Sequence, residues 1–167
     1  MSLVEPMGTN DSTRRTFNRF RVEMLERQVR LENAMDVVIA AGYARSASSS
    51  IEMRVEIIST MPLERRIKSL HRVMDRQDLT NAYPFVIPIL RKVIIVRNDM
   101  AHSLDDETID PGDGTIRLIG LSSGCVKPVS YSNDYLDWLF GQAWQVQREL
   151  ETMYWNVAPV DPKWHES

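Results

Sequence analysis

Apolar side chains recur at three- and four-residue intervals in two long stretches of this sequence, and this spacing constrains the fold more than any other feature. The first stretch begins near Thr13 and stops at Gly42, and the second follows Ser132 and stops at Pro159. The recurring positions are Phe17, Phe20, Met24, Leu31, Met35 and Val38, with one seven-residue gap after Met24, and then Leu136, Leu139, Ala143, Val146, Leu150 and Met153. With about 3.6 residues per helical turn, each set lies on one face, which predicts two amphipathic helices. Candidate caps are Ser12 or Thr13 for the first helix and Ser132, Asn133 or Asp134 for the last.

The charged residues favour ordinary ion pairing over a nucleic-acid track. The net charge is −3, so the chain has no global basic field, although 16 of its 20 basic residues are Arg. On the first helix Arg19, Glu23 and Arg27 alternate at four-residue spacing. Residues spaced in this way are neighbours on a helix surface, so the pattern predicts a solvated, ion-paired face.

Two further helical arms are predicted between these stretches. One runs from about Ile51 and breaks near Pro62, with Thr60 as the expected cap of its second half. The other starts near Pro88 and continues to His102. Its β-branched segment 93–96 is also compatible with a strand, but its length and flanking residues favour a helix.

Residues 103–132 are rich in Asp, Gly and Ser and contain two short apolar segments, TIRLIG and CVKPVSY. These segments flank Leu121–Gly124 and predict a small β-hairpin, with Pro128 placing its strand at a sheet edge. The chain is therefore expected to be an all-α protein, a four-helix bundle with a β-hairpin insert between the last two helices. One domain over residues 13–155 is expected, between a flexible N-terminal tail (1–12) and a C-terminal tail (156–167).

Other sequence features bound the class of protein. Cys125 is the single cysteine, and His71, His102 and His165 have no metal-ligand spacing, so neither a disulfide framework nor a metal or other cofactor is predicted. No apolar stretch reaches the roughly 20 residues that a membrane span needs, and no signal peptide is recognisable. A cytoplasmic protein is the expectation.

The segment Arg97-Asn98-Asp99-Met100-Ala101-His102 is the strongest candidate site. Asn98 and His102 are four positions apart on one helical face, so Asn98 can orient the imidazole. Arg97 lies about 140° around the helix axis from His102. The two can act on one ligand if the helix frays at His102, if a cleft wraps the helix end, or if a second copy closes the site.

These residue types suit RNA transesterification. An imidazole with a pKa of about 6.5 can move the proton of a 2′-hydroxyl or of the leaving 5′-oxygen. A guanidinium can hold the phosphate and its developing charge. Asp99 is the nearest acid and can tune His102. In the structural alternative, Arg97 bridges to a neighbouring helix and His102 hydrogen-bonds a free carbonyl at the helix end.

The segment VRNDMAHS resembles the RNxxxH signature of the HEPN superfamily, in which RNxxAH is a common form. The match at residue level covers residues 97–102, and the arrangement of helices resembles the family over about residues 13–155. The resemblance implies a four-helix up-and-down bundle and a homodimer whose two motifs face one cleft. It also implies a metal-independent endoribonuclease acting on single-stranded RNA in a toxin–antitoxin, defence or stress setting, with a possible antitoxin partner. Arg97 and His102 would then be the catalytic pair, and Asn98 and Asp99 the supporting residues.

Two other functions stay open on the sequence. A non-catalytic helical module that binds a protein or RNA could retain the motif for structural reasons. A bundle that binds a small ligand is a third reading, because the Trp-rich last helix could line a pocket. Tryptophan at helical spacing is, however, more often part of a core.

Overall fold

The computed structural model describes residues 9–102, 108–109, 115–122 and 125–158, and most of them are helical. The helices are α1 (Thr9–Tyr43), α2 (Ala47–Glu52), α3 (Leu63–Arg76), α4 (Val86–His102) and α5 (Asn133–Val157), and the strands are β1 (Thr108–Ile109), β2 (Ile116–Ser122) and β3 (Cys125–Tyr131). The all-α class is confirmed, together with a small antiparallel sheet between the last two helices. The four-helix up-and-down arrangement stays a prediction.

Contacts divide the chain into two compact units. The first unit is drawn from Met1–Gln28 and Lys92–Gly141, and the second from Val29–Arg91 and Gln142–Ser167. The expectation of one domain over residues 13–155 stays a prediction.

Helix α1 begins earlier than the sequence pattern predicts. It starts at Thr9, so the expected cap at Ser12 or Thr13 is wrong, and part of the predicted N-terminal tail is helical. The first turn of a helix accepts polar residues, because side chains or water can satisfy its free backbone N–H groups. Residues 1–8 of the predicted tail lie outside the described residues. The predicted apolar face of α1 is buried, except for the half-buried Phe20.

The predicted break at Pro62 is confirmed, but its local geometry differs from the prediction. The residue before a proline is pushed out of the α region, and Met61 is accordingly extended, with φ −76° and ψ 142°. Pro62 itself precedes the first residue of α3, Leu63. Thr60 is therefore not the cap of α3. Its hydroxyl donates a hydrogen bond of 2.7 Å to the carbonyl oxygen of Ile57 and closes the preceding turn.

Between α2 and Pro62 the chain changes its helical winding. Ser46 caps α2 through its side chain, which accepts a hydrogen bond from the backbone N–H of Ser49 at 3.2 Å. A π-helical segment, Met53–Ile57, follows α2 directly and leads into a short 3-10 turn, Ile58–Thr60. The arm predicted to start at Ile51 therefore starts at Ala47 and is not a uniform α-helix.

The remaining elements follow the sequence patterns closely. The segment 93–96 is helical within α4, so the strand alternative is wrong. Strands β2 and β3 form the predicted antiparallel hairpin, and β3, which contains Pro128, is an edge strand of the order β1-β2-β3. The strand β1 was not predicted. Residues 103–107, 110–114 and 123–124 of the predicted connection lie outside the described residues.

Helix α5 begins at the predicted cap. The Ser132 hydroxyl oxygen accepts a hydrogen bond from the backbone N–H of Tyr135 at 3.2 Å, and every predicted apolar position of α5 is buried. The expectation that tryptophans of this helix belong to the core is wrong for Trp138 and Trp144, which are 43% and 52% exposed. The helix continues to Val157, into the predicted C-terminal tail, and residues 159–167 lie outside the described residues.

Candidate functional site

The six residues of the motif form the last turns of α4, in the first unit. Met100 is buried, whereas Asn98 and His102 are exposed. Helix α4 extends through His102, which is its final residue. The helix is therefore not frayed at His102, so fraying does not bring Arg97 and His102 to one ligand.

Arg97 has an electrically neutral partner. Its Nη1 donates a hydrogen bond of 3.1 Å to Oδ1 of Asn98, and within the described part of the chain it forms no ion pair with a carboxylate. Its Nε is buried without a hydrogen-bond partner there. Buried polar groups are nearly always hydrogen-bonded, so this Nε is an exception.

The predicted support of His102 by Asn98 is not present in this geometry. The carboxamide oxygen of Asn98 accepts its hydrogen bond from Arg97, and the described residues include no hydrogen bond between Asn98 and His102. The motif thus brings Arg97 and Asn98 together and leaves the exposed His102 separate.

Arg97 and His102 do not converge within one copy of α4. Five positions of regular helix separate them by about 7.5 Å along the axis and about 140° around it. Since the helix is intact through His102, one ligand can meet both side chains only in a cleft that wraps the helix end or in a site shared with a second copy.

Asp99 has a partner that the sequence did not indicate. The hydroxyl of Tyr131, the last residue of β3, donates a hydrogen bond of 2.5 Å to Oδ2 of Asp99. Burial raises the pKa of Tyr131 well above its ordinary value, and the hydrogen bond to Asp99 and that residue's negative charge raise the pKa further. Asp99 therefore connects α4 to the sheet.

Beyond Tyr131, aromatic rings continue onto α5. The Tyr131 and Tyr135 rings are stacked, with centroids 5.8 Å apart, and the Tyr135 and Trp138 centroids lie 5.7 Å apart. At the far end the Nζ of Lys92 lies 4.9 Å from the centroid of the Trp138 ring, a cation–π contact. We call Tyr131, Tyr135 and Trp138 the aromatic row. It starts at the partner of Asp99 and ends at a partly exposed indole beside a positive charge.

Sequence reasoning missed the aromatic row. Tyr135 and Trp138 are three positions apart on α5, which signals a shared face, but that spacing does not separate a core face from a surface. Tyr131 stands on a strand, and nothing in the sequence links it to Asp99, 32 positions away. Only the packing of β3 beside α4 reveals the pair.

The described residues contain no group of three or more His, Cys, Asp or Glu side chains arranged to hold a metal ion. None of the described helices combines the length and apolar character that a membrane crossing requires.

Comparisons with known proteins did not identify relatives. The sequence matches no protein-family model. No curated protein and no solved structure matches it either.

Proposed function

We propose that this protein is an HEPN-like, metal-independent endoribonuclease that cleaves single-stranded RNA as a homodimer. The observation that carries the proposal is the state of Arg97. Its guanidinium is hydrogen-bonded to the neutral Asn98 carboxamide and is not paired with a carboxylate among the described residues. A phosphate can therefore bind it without displacing an acidic side chain, which favours the functional reading of the motif over a structural one.

In the proposed reaction, His102 acts as the general base. Its imidazole takes the proton of a ribose 2′-hydroxyl, and the 2′-oxygen attacks the adjacent phosphorus. The bond from phosphorus to the 5′-oxygen breaks, the 5′-oxygen takes a proton from water, and a 2′,3′-cyclic phosphate remains. The imidazolium of His102 then gives its proton to the hydroxide that is left, which restores the base. Arg97 stabilises the negative charge that develops on the phosphoryl oxygens.

The separation of Arg97 and His102 on an intact helix supports the homodimer in this proposal. Two copies with α4 ends facing each other could supply the Arg97 of one and the His102 of the other to a single phosphate. This arrangement accords with the up-and-down bundle and the shared cleft that the HEPN resemblance implies. A setting in toxin–antitoxin, defence or stress systems, with an antitoxin partner, belongs to the same proposal.

The test compares RNA cleavage by the unaltered protein and by His102→Ala, in buffer containing a metal chelator. His71→Ala is the matched control, because His71 is an exposed histidine on α3 in the other unit. We expect cleavage with 2′,3′-cyclic or 3′-phosphate ends, a loss of at least about 100-fold in His102→Ala, and unchanged cleavage in His71→Ala.

Mixing two inactive variants tests the shared site. Arg97→Ala and His102→Ala, each inactive alone, are expected to regain part of the activity when mixed, because mixed dimers then contain one intact site. Cleavage that depends on added metal, or that survives His102→Ala, would contradict the proposal. RNA binding without cleavage would instead identify a non-catalytic RNA-binding module.

A further inference from the structure

Helix α3 of the second unit carries basic side chains along the face opposite its buried side. The buried residues of the helix are Ile67, Leu70, Val73 and Met74. Exposed cations occupy the opposite face, and we call them the basic stripe: Arg65, Lys68, Arg72 and Arg76. At about 100° per residue, these positions fall within about 80° of one another around the axis, along about 16 Å of the helix.

The two acidic residues of α3 have partners outside the basic stripe. The carboxylate of Glu64 lies 3.5 Å from Nη2 of Arg91 on α4. Asp75 accepts a hydrogen bond of 2.6 Å from the hydroxyl of Thr80 and lies 3.6 Å from Nε2 of His71. Neither carboxylate forms an ion pair with a member of the stripe.

The cations of the basic stripe have no acidic partner within the part of the chain that the structure describes. The side chains of Arg65, Lys68 and Arg72 form no hydrogen bond or ion pair there. The guanidinium of Arg76 lies over the ring of Tyr43, 5.1 Å from its centroid, and this neutral partner leaves its charge uncompensated. The stripe is therefore a row of positive charges that an external anion can meet without displacing a carboxylate.

The surroundings of the basic stripe distinguish among polyanionic partners. The exposed large apolar side chains of the described residues all lie outside α3. A stable protein interface has an apolar centre, and a helix on a membrane surface buries apolar side chains beside its cations. The stripe offers neither. A nucleic-acid backbone needs only phosphate contacts, which guanidinium and ammonium groups supply.

We propose that the basic stripe of α3 binds the phosphate backbone of single-stranded RNA. Successive cations are separated by about 4.5–6 Å along the helix axis, so they can contact successive phosphates of one strand. Phosphate contacts carry no sequence information, so this binding is independent of base sequence. The choice of RNA rests on the proposed function, but binding at the stripe does not require cleavage.

The test measures the affinity of the full-length protein for RNA by fluorescence anisotropy at increasing KCl concentration. The probe is a labelled oligouridylate whose 2′-hydroxyls are methylated, so a 2′-oxygen cannot attack the phosphate. The triple variant Arg65→Gln/Lys68→Gln/Arg72→Gln is expected to bind at least about tenfold more weakly at low salt. Its plot of log affinity against log salt should be less steep by about 0.7 for each cation replaced, or about 2 in all. Arg76 is retained because its replacement would also remove the contact with Tyr43.

The matched control removes the same amount of positive charge from exposed arginines in three separate parts of the chain. It combines Arg19→Gln, Arg45→Gln and Arg148→Gln. We expect this control to bind the probe within about threefold of the unaltered protein, with an unchanged salt dependence. Equal melting temperatures establish that both triple variants are folded.

Polyglutamate and phosphatidylserine vesicles represent the other classes of polyanion. We expect both to bind at least about tenfold more weakly than the RNA probe. Failure of the RNA to bind, equal losses in the two triple variants, or tighter binding of polyglutamate or vesicles would overturn the proposal. Cleavage by the unaltered protein with equal salt dependence in the stripe variant would overturn the stripe and leave the proposed function standing. A reduced salt dependence in the stripe variant, without cleavage of unmodified RNA by the unaltered protein, would support the stripe and contradict the endoribonuclease.

Discussion

The hydroxyl of Tyr131 and the carboxylate of Asp99 are joined by a hydrogen bond of 2.5 Å that connects the last residue of β3 to the turn of α4 carrying the motif. Asp99 follows Asn98 directly, so the contact also restrains the turn that carries the Arg97–Asn98 pair. The acid expected to tune His102 thus has a structural partner. Removal of the Tyr131 hydroxyl should therefore lower the stability of the fold.

Tyr131→Phe is expected to lower the free energy of unfolding by about 1–3 kcal/mol. The variant keeps the ring of Tyr131 but leaves the half-buried Asp99 carboxylate without this donor, and an unsatisfied charged group is costly. Urea unfolding at neutral pH measures the change.

Tyr135→Phe is the control for that substitution. Tyr135 stacks on Tyr131, but its hydroxyl has no hydrogen-bond partner among the described residues. We expect a change within about 0.5 kcal/mol. A loss in Tyr135→Phe as large as that in Tyr131→Phe would show that ring packing, and not the bond to Asp99, stabilises this corner.

The raised pKa of Tyr131 predicts a loss of stability at alkaline pH. Above its ordinary pKa of 10.0 the tyrosine ionises in the unfolded chain while the folded chain retains the proton. The unfolded state therefore binds fewer protons, and the free energy of unfolding falls as the pH rises beyond 10.0. Urea midpoints across this range should fall less steeply in Tyr131→Phe. If the urea midpoint falls equally steeply in Tyr131→Phe and in the unaltered protein, Tyr131 does not cause the alkaline loss of stability.

Asp36 and Arg66 form a buried ion pair in the second unit. The Nη1 of Arg66 lies 3.0 Å from Oδ2 of Asp36, and its Nη2 lies 2.8 Å from Oε2 of Glu32. Burial raises the pKa of Asp36, and Arg66 opposes this effect. Arg66→Met is expected to cost about 3–5 kcal/mol at neutral pH, because an unpaired carboxylate remains buried.

The pH dependence of this loss and a double variant test whether the buried Asp36 carboxylate causes it. Removal of Arg66 raises the pKa of Asp36 further, so the folded chain holds its proton where the unfolded one has lost it. Stability is then lost as the pH rises above 3.8, and the cost of Arg66→Met should shrink below that value. Adding Asp36→Asn should recover at least about half of the loss at neutral pH. A pH-independent loss would indicate a packing effect instead.

Gly42 allows α1 and α3 to approach closely. A Cβ added at Gly42 would overlap Val73, at 2.8 Å from its Cγ2 and closer still to its Cγ1. Gly42→Ala is therefore expected to cost about 1–3 kcal/mol. Gly141→Ala is the matched control, since nothing lies within 4 Å of the added atom. It should stabilise α5 by about 0.5–1 kcal/mol. Melting curves that shift in the same direction for both variants would contradict this explanation.

Trp138 ends the aromatic row close to Lys92, and the row begins beside the motif. If RNA reaches the motif, a base can stack on this partly exposed indole while Lys92 meets a phosphate. Trp138→Ala should weaken binding of single-stranded RNA at least about fivefold. Trp144→Ala, on the same helix but in the second unit, should not. Fluorescence anisotropy with labelled RNA measures both, and equal affinities would exclude the row as an RNA contact.

The sequence by itself determined the features that depend on neighbouring residues. The apolar spacing of α5, a cap at one of residues 132–134, the break at Pro62 and the edge position of Pro128 all follow from local geometry, and the structure agrees with each. Local rules were less accurate at helix starts, because polar residues such as those near Thr9 fit either a cap or a first turn.

Only the tertiary structure decided which distant side chains meet. Asp99 and Tyr131 are 32 positions apart, and Arg66 and Asp36 are 30 apart. Their pairing depends on how whole elements pack, which periodicity does not encode. The same holds for a cavity in the second unit, whose wall comes from three separate segments: residues 30–37, Arg54 and residues 147–155. For the motif, the sequence supplied the residues, and the intact helix through His102 added the geometric constraint that Arg97 and His102 face different directions in one chain.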